Sequence, residues 1–196
     1  AAWPEIAMGC SFGKDSMVTL ALLRRVRPDC PVFTILSDTE FPETYTFIEE
    51  VVTKWGLHYQ AYWFTQAASV MQGDLSACCG PPKVEATRRA VKHLRAWISG
   101  IRRTEGISRV DFQPLETRGG LTKVNPILDF TELDVWRYTA LHALPVHPLY
   151  HRGYRSLGCR LCSVAEQDEG ETERFGRWVG TEHWGGECGI HTQSLR

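Results

Sequence analysis

Four of the seven cysteines in this 196-residue chain occur in two close pairs that suit metal binding. Cys78 and Cys79 are adjacent, and Cys159 and Cys162 form a C-x-x-C motif. Two such pairs can supply four thiolates to a zinc ion or to an iron–sulfur cluster. The adjacent pair favours a cluster, because neighbouring side chains reach separate metal corners more easily than they reach one tetrahedral zinc ion.

The other three cysteines differ in their surroundings. Cys188 lies in a glycine-flanked stretch, E-C-G-I-H, where a mobile chain could bring a thiolate to a substrate held among cations. Cys10 and Cys30 lie in apolar, strand-like segments, so we expect both to be buried structural thiols. An odd number of cysteines at low density excludes a secreted disulfide scaffold.

Positive charge is concentrated in one part of the chain. The net charge of −1 argues against a broad nucleic-acid surface. Residues 81–110 nevertheless carry a charge of +6, and the remainder carries −7. Such a segment either binds a small, strongly anionic ligand or forms a solvated helix face. Its basic side chains are Lys83, Arg88, Arg89, Lys92, Arg95, Arg102, Arg103 and Arg109.

A second candidate for anion binding is the loop after the first predicted strand. It combines hydroxyl residues, a glycine that permits close backbone approach and a lysine, and a helix follows whose first N–H groups favour anions. It lacks the G-x-x-x-x-G-K spacing of the Walker loop. The loop consists of Ser11, Phe12, Gly13, Lys14, Asp15 and Ser16.

Apolar periodicity predicts strands that alternate with helices. We expect strands at residues 6–12, 31–36, 58–64 and 96–101, and helices at 43–55, 83–94 and 131–141. In the last of these helices Leu133, Val135, Trp136 and Leu141 should form the apolar side. This order favours a doubly wound, mainly parallel α/β sheet with ligands beyond the carboxyl ends of its strands.

Periodicity fades after residue 145. We therefore expect a nucleotide-binding α/β region at 1–144 and, in the same domain, a C-terminal segment at 145–196 that folds over the site. Composition is that of a globular protein, with 43% hydrophobic and 23% charged residues. No apolar run is long enough for a membrane span, and no basic-then-apolar leader opens the sequence, so we expect a cytoplasmic protein.

The loop S-F-G-K-D-S after a strand resembles the nucleotide loop of the PP-loop, or adenine nucleotide alpha-hydrolase-like, superfamily. Asp38 and Thr39 follow the second strand, where that superfamily places nucleotide-contacting residues. Six further motifs resemble, in order, those of the sulfonucleotide reductases, and the cysteine pairs are those of the assimilatory iron–sulfur adenosine 5′-phosphosulfate reductases. These motifs are CCGPPKV, AWISGIRR, KVNPI, HPLYHRGYRSLGCRLC, GRW and ECGIH.

The resemblance implies a [4Fe–4S] cluster on Cys78, Cys79, Cys159 and Cys162, with Cys188 as the nucleophile. Cys188 would take the sulfonate group from adenosine 5′-phosphosulfate, and thioredoxin would then release sulfite by thiol exchange. The leaving phosphate calls for fixed cations. The candidates for substrate binding are Lys83, Arg102, Arg103, Arg174, Arg177 and His191. We also expect a homo-oligomer, and neither a nucleic-acid nor a membrane partner.

The loop departs from the family pattern at Lys14, because most reductase loops lack this lysine. A free Lys14 ammonium could receive a 3′-phosphate, so 3′-phosphoadenosine 5′-phosphosulfate remains an alternative substrate. The same lysine is typical of the ATP-using members, which keeps an ATP-dependent sulfurtransferase or nucleotidyltransferase open. A zinc-stabilised nucleotide-binding module is a non-enzymatic alternative.

Overall fold

Strands and helices alternate as the apolar pattern predicts in the computed structural model, which describes residues 5–74, 80–165, 172–182 and 184–196. The strands are β1 (Ile6–Gly9), β2 (Val32–Ser37), β3 (Tyr59–Phe64), β4 (Ala96–Ile98), β5 (Leu115–Arg118) and β6 (Leu121–Val124). The helices are α1 (Lys14–Val26), α2 (Pro42–Trp55), α3 (Ala68–Met71), α4 (Pro81–Val91), α5 (Glu132–Leu141) and α6 (Gly189–Thr192).

The strands form one sheet in the order β3-β2-β1-β4-β6-β5, parallel except for β5. The chain adds β2 and β3 on one side of β1 and then places β4 on the other side. The strand order therefore reverses between β1 and β4. In open α/β sheets the crevice at such a reversal, outside the carboxyl ends of the strands, is where ligands bind.

Both faces of the central strands are buried, which confirms the predicted doubly wound α/β class. Along β1, Ala7 and Met8 point into separate apolar clusters on opposite faces, as the two-residue period of a strand requires. Side chains of α1 and α2 fill the cluster around Met8, and those of α4 fill the cluster around Ala7. Cys10 and Cys30 are both buried, as predicted.

The apolar side predicted for the last long helix is wrong at two positions. Leu133 and Leu141 in α5 are 56% and 80% exposed, whereas Val135 is fully buried. Val135 belongs to a small cluster with Val18 of α1 and Ile127. Because α5 packs on α1 rather than on the sheet, only a narrow stripe of it is covered.

Two strand ends also differ from the prediction. β1 ends at Gly9 and β4 at Ile98, each three residues before its predicted end. The antiparallel pair β5 and β6 is not among the predicted strands, and the sequence L-E-T-R of β5 is largely exposed and lacks a strong apolar pattern. Within the described part of the chain, no helix has both the length and the apolar character needed to cross a bilayer.

Candidate active site

A cavity of about 200 Å³ opens where the strand order reverses, at the carboxyl ends of β1 and β4. Its walls come from the 11–16 loop, residues 99–101 after β4, residues 156–159, and residues 187–191 near the end of the chain. Segments far apart in sequence thus enclose one site. The C-terminal segment contributes side chains to the same cavity as the nucleotide loop.

Gly100 allows the two central loops to approach each other. A Cβ atom at this position would lie 2.9 Å from both the N and the Cα of Ser16, closer than backbone atoms tolerate. The Ser16 hydroxyl donates a hydrogen bond to the Gly13 carbonyl at 2.9 Å, which closes the loop on itself. Phe12 has φ of 58° and is fully buried against Tyr59, so it anchors the loop in the core instead of facing the cavity.

The structure brings most of the predicted substrate-binding residues to this cavity. Those lining it are Ser11, Gly13, Lys14, Asp15, Ser16, Lys83, Arg174, Arg177 and His191. Phe12, Asp38, Thr39, Arg102 and Arg103 are not part of its lining. Thr39 is buried in a hydrogen bond with Ser37, and Asp38 is exposed and accepts a hydrogen bond from the Gln66 backbone.

Arg103 lies on another side of the loop after β4. Its Nε donates to Asp129 at 3.0 Å, and its Nη1 donates to the carbonyl oxygens of Val110 and Phe112. Arg103 therefore braces the chain after β4. Sequence alone does not separate the roles of two adjacent arginines, because their directions depend on the backbone after the strand ends.

A buried ion network lies beneath the cavity and joins the loop, the chain after β4 and the C-terminal segment. Arg102, which is fully buried, pairs with Asp15 of the loop and with Glu173. Arg174 pairs with Glu105 at 3.4 Å. Lys14, Arg102, Arg109 and Arg174 pair in this network with Asp15, Glu105, Glu173 and Glu187. The Lys14 ammonium also lies 3.9 Å from the Glu132 carboxylate, which is paired with Arg155.

Arg109 and Glu187 are site residues that the motifs did not single out. Arg109 donates through Nε and Nη2 to the two carboxylate oxygens of Glu187, and through Nη1 to Glu105. Burial alone would raise the pKa of Glu187, but Arg109 and Arg174 outweigh it and hold that pKa well below its usual range. Two signals could have indicated the pair: Arg109 lies in the basic segment, and Glu187 directly precedes Cys188.

The pH dependence of stability should report on this network. Burial favours protonated Glu105, but Arg109 and Arg174 overcome that effect and lower its pKa from 4.5 to about 2. Between these values the unfolded chain binds more protons at this residue than the folded chain does, so acid favours unfolding. We expect the free energy of unfolding, measured in urea, to lose the Glu105 contribution as pH falls from 4.5 to about 2. In Glu105→Gln, the slope over that interval should be smaller. An unchanged slope would contradict this assignment.

Cys188 lies at the cavity edge and is only 7% exposed. It packs in one apolar cluster with Cys159, Cys162, Val70 and Trp178. Its backbone N–H donates to the Glu187 carboxylate at 2.8 Å. The predicted nucleophile and one predicted cysteine pair are thus neighbours, although 26 residues separate Cys162 from Cys188 in the sequence.

The chemistry around the C-x-x-C pair fits cluster ligands. The Sγ atoms of Cys159 and Cys162 lie 3.4 Å apart, and both side chains are buried. Arg177 Nη2 donates to Cys162 Sγ at 3.4 Å, and Gln66 Nε2 to Cys159 Sγ at 3.8 Å. Donors to ligand sulfurs are a common feature of iron–sulfur sites. A Cβ at Gly158 would collide with the Arg177 guanidinium, so glycine there leaves room for this donor.

The other predicted ligand pair, Cys78 and Cys79, lies outside the described residues. α4 starts two residues after that pair, and Lys83 in its first turn lines the cavity. Within the four described ranges, no group of three or more metal-binding side chains is present. The predicted four-cysteine set stays a prediction.

His191 presents an unused nitrogen beside the cavity. Its ring stacks on Trp97 with centroids 5.9 Å apart, and Nδ1 is buried without a hydrogen-bond partner in the described structure. Burial and then the nearby Lys123 ammonium lower the pKa of His191 well below its usual value. The imidazole is thus neutral at physiological pH and can donate or accept one hydrogen bond to a ligand.

A doubly wound sheet with a cavity and a glycine-containing loop at its strand reversal defines an α/β protein built to bind a phosphate-bearing ligand. The family of the phosphoadenosine phosphosulfate reductase domain matches residues 5–165. The chain belongs to this family. The adenosine 5′-phosphosulfate reductase of Halalkalibacterium halodurans is 33% identical, over 95% of this chain and 85% of its own.

Relatives named phosphoadenosine 5′-phosphosulfate reductase are equally similar to this chain. The phosphoadenosine 5′-phosphosulfate reductase of Xanthomonas campestris pv. campestris is 34% identical, over 95% of this chain and 81% of its own. The phosphoadenylyl-sulfate reductase of Candida auris, solved as a phosphate complex, superposes with a TM-score of 0.64 at 22% identity. That match covers 83% of this chain and 85% of the other, and it shows a shared fold.

Proposed function

We propose that this protein reduces adenosine 5′-phosphosulfate to sulfite and AMP in sulfate assimilation. The observation that carries the proposal is the position of Cys188, a thiol at the edge of a cavity that the phosphate-type loop and several cationic side chains also line. Membership of the reductase family supports the same activity.

In the proposed first step the Cys188 thiolate attacks the sulfur of the phosphosulfate group. An S–S bond forms, the bond between that sulfur and the phosphate oxygen breaks, and AMP leaves with the electron pair. In the second step a thiol of a dithiol donor, such as thioredoxin, attacks Cys188 Sγ. Sulfite leaves, a mixed disulfide remains, and the second thiol of the donor restores Cys188, so the donor supplies both electrons.

The negative charge that develops on the leaving phosphate needs fixed donors. Arg177 and Lys83 line the cavity and can supply them, whereas Arg174, which also lines it, is bound to Glu105 and the Gly186 carbonyl and holds the chain before Cys188. Arg109, which also lines it, holds Glu187 and thereby the backbone of Cys188. Arg102 does not line the cavity. It contacts Asp15 and Glu173 and therefore supports the site indirectly.

We further propose that Cys78, Cys79, Cys159 and Cys162 bind a [4Fe–4S] cluster. Buried sulfurs with nitrogen donors beside Cys159 and Cys162 support this ligand set. When bound, the cluster would join the two cysteine segments beside the cavity and add its charge next to the substrate. Lys83, on α4 shortly after the first pair, lines the cavity and would add positive charge beside the substrate.

The 3′-phosphorylated nucleotide is the second candidate substrate, because relatives with either name are equally similar to this chain. The test mixes anaerobically purified protein with each nucleotide in the absence of reductant. We expect intact and peptide mass spectra to show one added SO3 group on Cys188 with adenosine 5′-phosphosulfate. A clear preference for the 3′-phosphorylated nucleotide would reverse the choice of substrate, and no modification with either nucleotide would contradict the proposed function.

A further inference from the structure

Lys14 lies where a side chain could bind a phosphate, but its ammonium is bound by groups of the protein itself. It lines the cavity, yet its side chain is only 1% exposed. Its ammonium lies 2.9 Å from the Glu173 carboxylate, 3.0 Å from the Arg155 carbonyl oxygen, 3.5 Å from the Asp15 carboxylate and 3.9 Å from the Glu132 carboxylate. An ammonium has three protons to donate, and oxygens from four residues of the protein already surround it.

The first of these contacts ties the nucleotide loop to the C-terminal segment. Glu173 is 5% exposed in its side chain, and it does not line the cavity. It also accepts from Arg102, which is bound to Asp15 of the same loop. Arg174, its neighbour, donates to the Gly186 carbonyl at 2.9 Å, two residues before Cys188. A chain of buried contacts therefore runs from Lys14 to the backbone that carries the thiol.

We propose that Lys14 is a positioning residue, whose ion pair with Glu173 holds the segment carrying Cys188 against the nucleotide loop, and that Lys14 does not bind the phosphates of the nucleotide. The part of this proposal that concerns S-sulfonation depends on the proposed function. The part that concerns the placement of Cys188 does not.

The energetics of burial favour this role over phosphate binding. A substrate phosphate could reach the Lys14 ammonium only by displacing one of the protein oxygens that surround it. Displacing Glu173 would remove one of the two cationic partners of this buried carboxylate, and breaking a buried ion pair from one side is unfavourable. Substrate would therefore bind more readily to cavity-lining groups that leave this pair intact.

The test compares Lys14→Met, Glu173→Gln and the double variant by the rate at which iodoacetamide alkylates Cys188, measured by peptide mass spectrometry on the anaerobically purified protein. Each single variant should be alkylated about 10-fold faster than the unmodified protein, because the segment opens more often. The double variant should be no faster than the faster single variant, because the Lys14–Glu173 pair is already absent in each single variant. Additive effects would overturn the proposal.

Glu43→Gln is the matched control. Glu43 and Arg152 form an ion pair that also joins the α/β body to the C-terminal part of the chain, but this pair is at the surface. Surface pairs contribute little, so alkylation of Cys188 should be unchanged in this variant. If the control is alkylated as fast as Glu173→Gln, the buried pair has no special role and the proposal fails.

Binding of AMP, measured by calorimetry, separates positioning from phosphate binding. We expect the Kd of each variant to stay within about 3-fold of the unmodified value, while S-sulfonation of Cys188 slows by about 10-fold or more. A Kd that weakens at least 10-fold in Lys14→Met, with alkylation unchanged, would identify Lys14 as a phosphate ligand and overturn the proposal. If Lys14→Met does not fold, Glu173→Gln decides, since Glu173 is outside the cavity lining. Absence of S-sulfonation in the unmodified protein would refute the proposed function and leave the alkylation test valid.

Discussion

A Cys188→Ser variant is expected to lose sulfite formation by at least about 1000-fold, because a serine hydroxyl cannot replace a thiolate as the attacking group or accept the sulfonate reversibly. The side chain is buried at the cavity edge, and serine is close to cysteine in size. The loss should therefore appear in the rate of the chemical step, with little change in nucleotide binding. Sulfite release from adenosine 5′-phosphosulfate in the presence of thioredoxin is the measurement.

Cys30→Ser is the control for this variant. Cys30 is a buried thiol between α1 and β2, and it is not part of the cavity lining. Its substitution should preserve both sulfite formation and S-sulfonation of Cys188. If Cys188→Ser forms sulfite at the rate of the unmodified protein, the covalent intermediate and the proposed function are both refuted.

Cys162→Ser is expected to abolish cluster binding, since a serine hydroxyl is a poor substitute for a thiolate ligand to iron. The unmodified protein, purified without oxygen, should be brown and contain about four iron atoms per chain, as a [4Fe–4S] cluster requires. The variant should lose most of this iron and the visible absorbance. Sulfite formation should fall as well, because Cys162 packs in the same buried cluster as Cys188.

Iron content after Cys30→Ser shows whether that loss is specific to ligands. Cys30 lies outside the apolar cluster that holds Cys159, Cys162 and Cys188, so its variant should keep the colour. A Cys162→Ser protein with full iron content would exclude this ligand assignment. A colourless unmodified protein that contains zinc would instead support a zinc-stabilised nucleotide-binding module.

The local parts of the fold could be predicted well, because they depend on short-range rules. α2 begins at Pro42 and ends before Gly56, whose φ of 58° is the left-handed conformation that glycine favours at helix ends. β1 and β2 read as apolar runs because both of their faces are covered. The buried side of α5 could not be predicted in full, because Leu133 and Leu141 fit the helical period of apolar residues but face solvent.

In the basic segment at residues 81–110, the charge pattern alone does not tell which arginines face solvent and which lie near the cavity. Arg88 and Arg95 are exposed and form the solvated surface that one interpretation predicted. Arg102 and Arg109 in the same segment are buried in ion pairs beneath the cavity, close to what the other interpretation predicted. Burial decides between these roles, and burial depends on which distant carboxylates the fold brings near.

The sequence by itself determined the family and the doubly wound sheet, because these follow from residue types at short spacings. Only the tertiary structure decided that Arg103 braces the chain outside the cavity, that Arg109 holds Glu187, and that the Lys14 ammonium is occupied by Glu173. The physical reason is that the role of a charged side chain depends on its burial and on its ionic partners. Here the partners are separated by 26 to 159 residues along the chain.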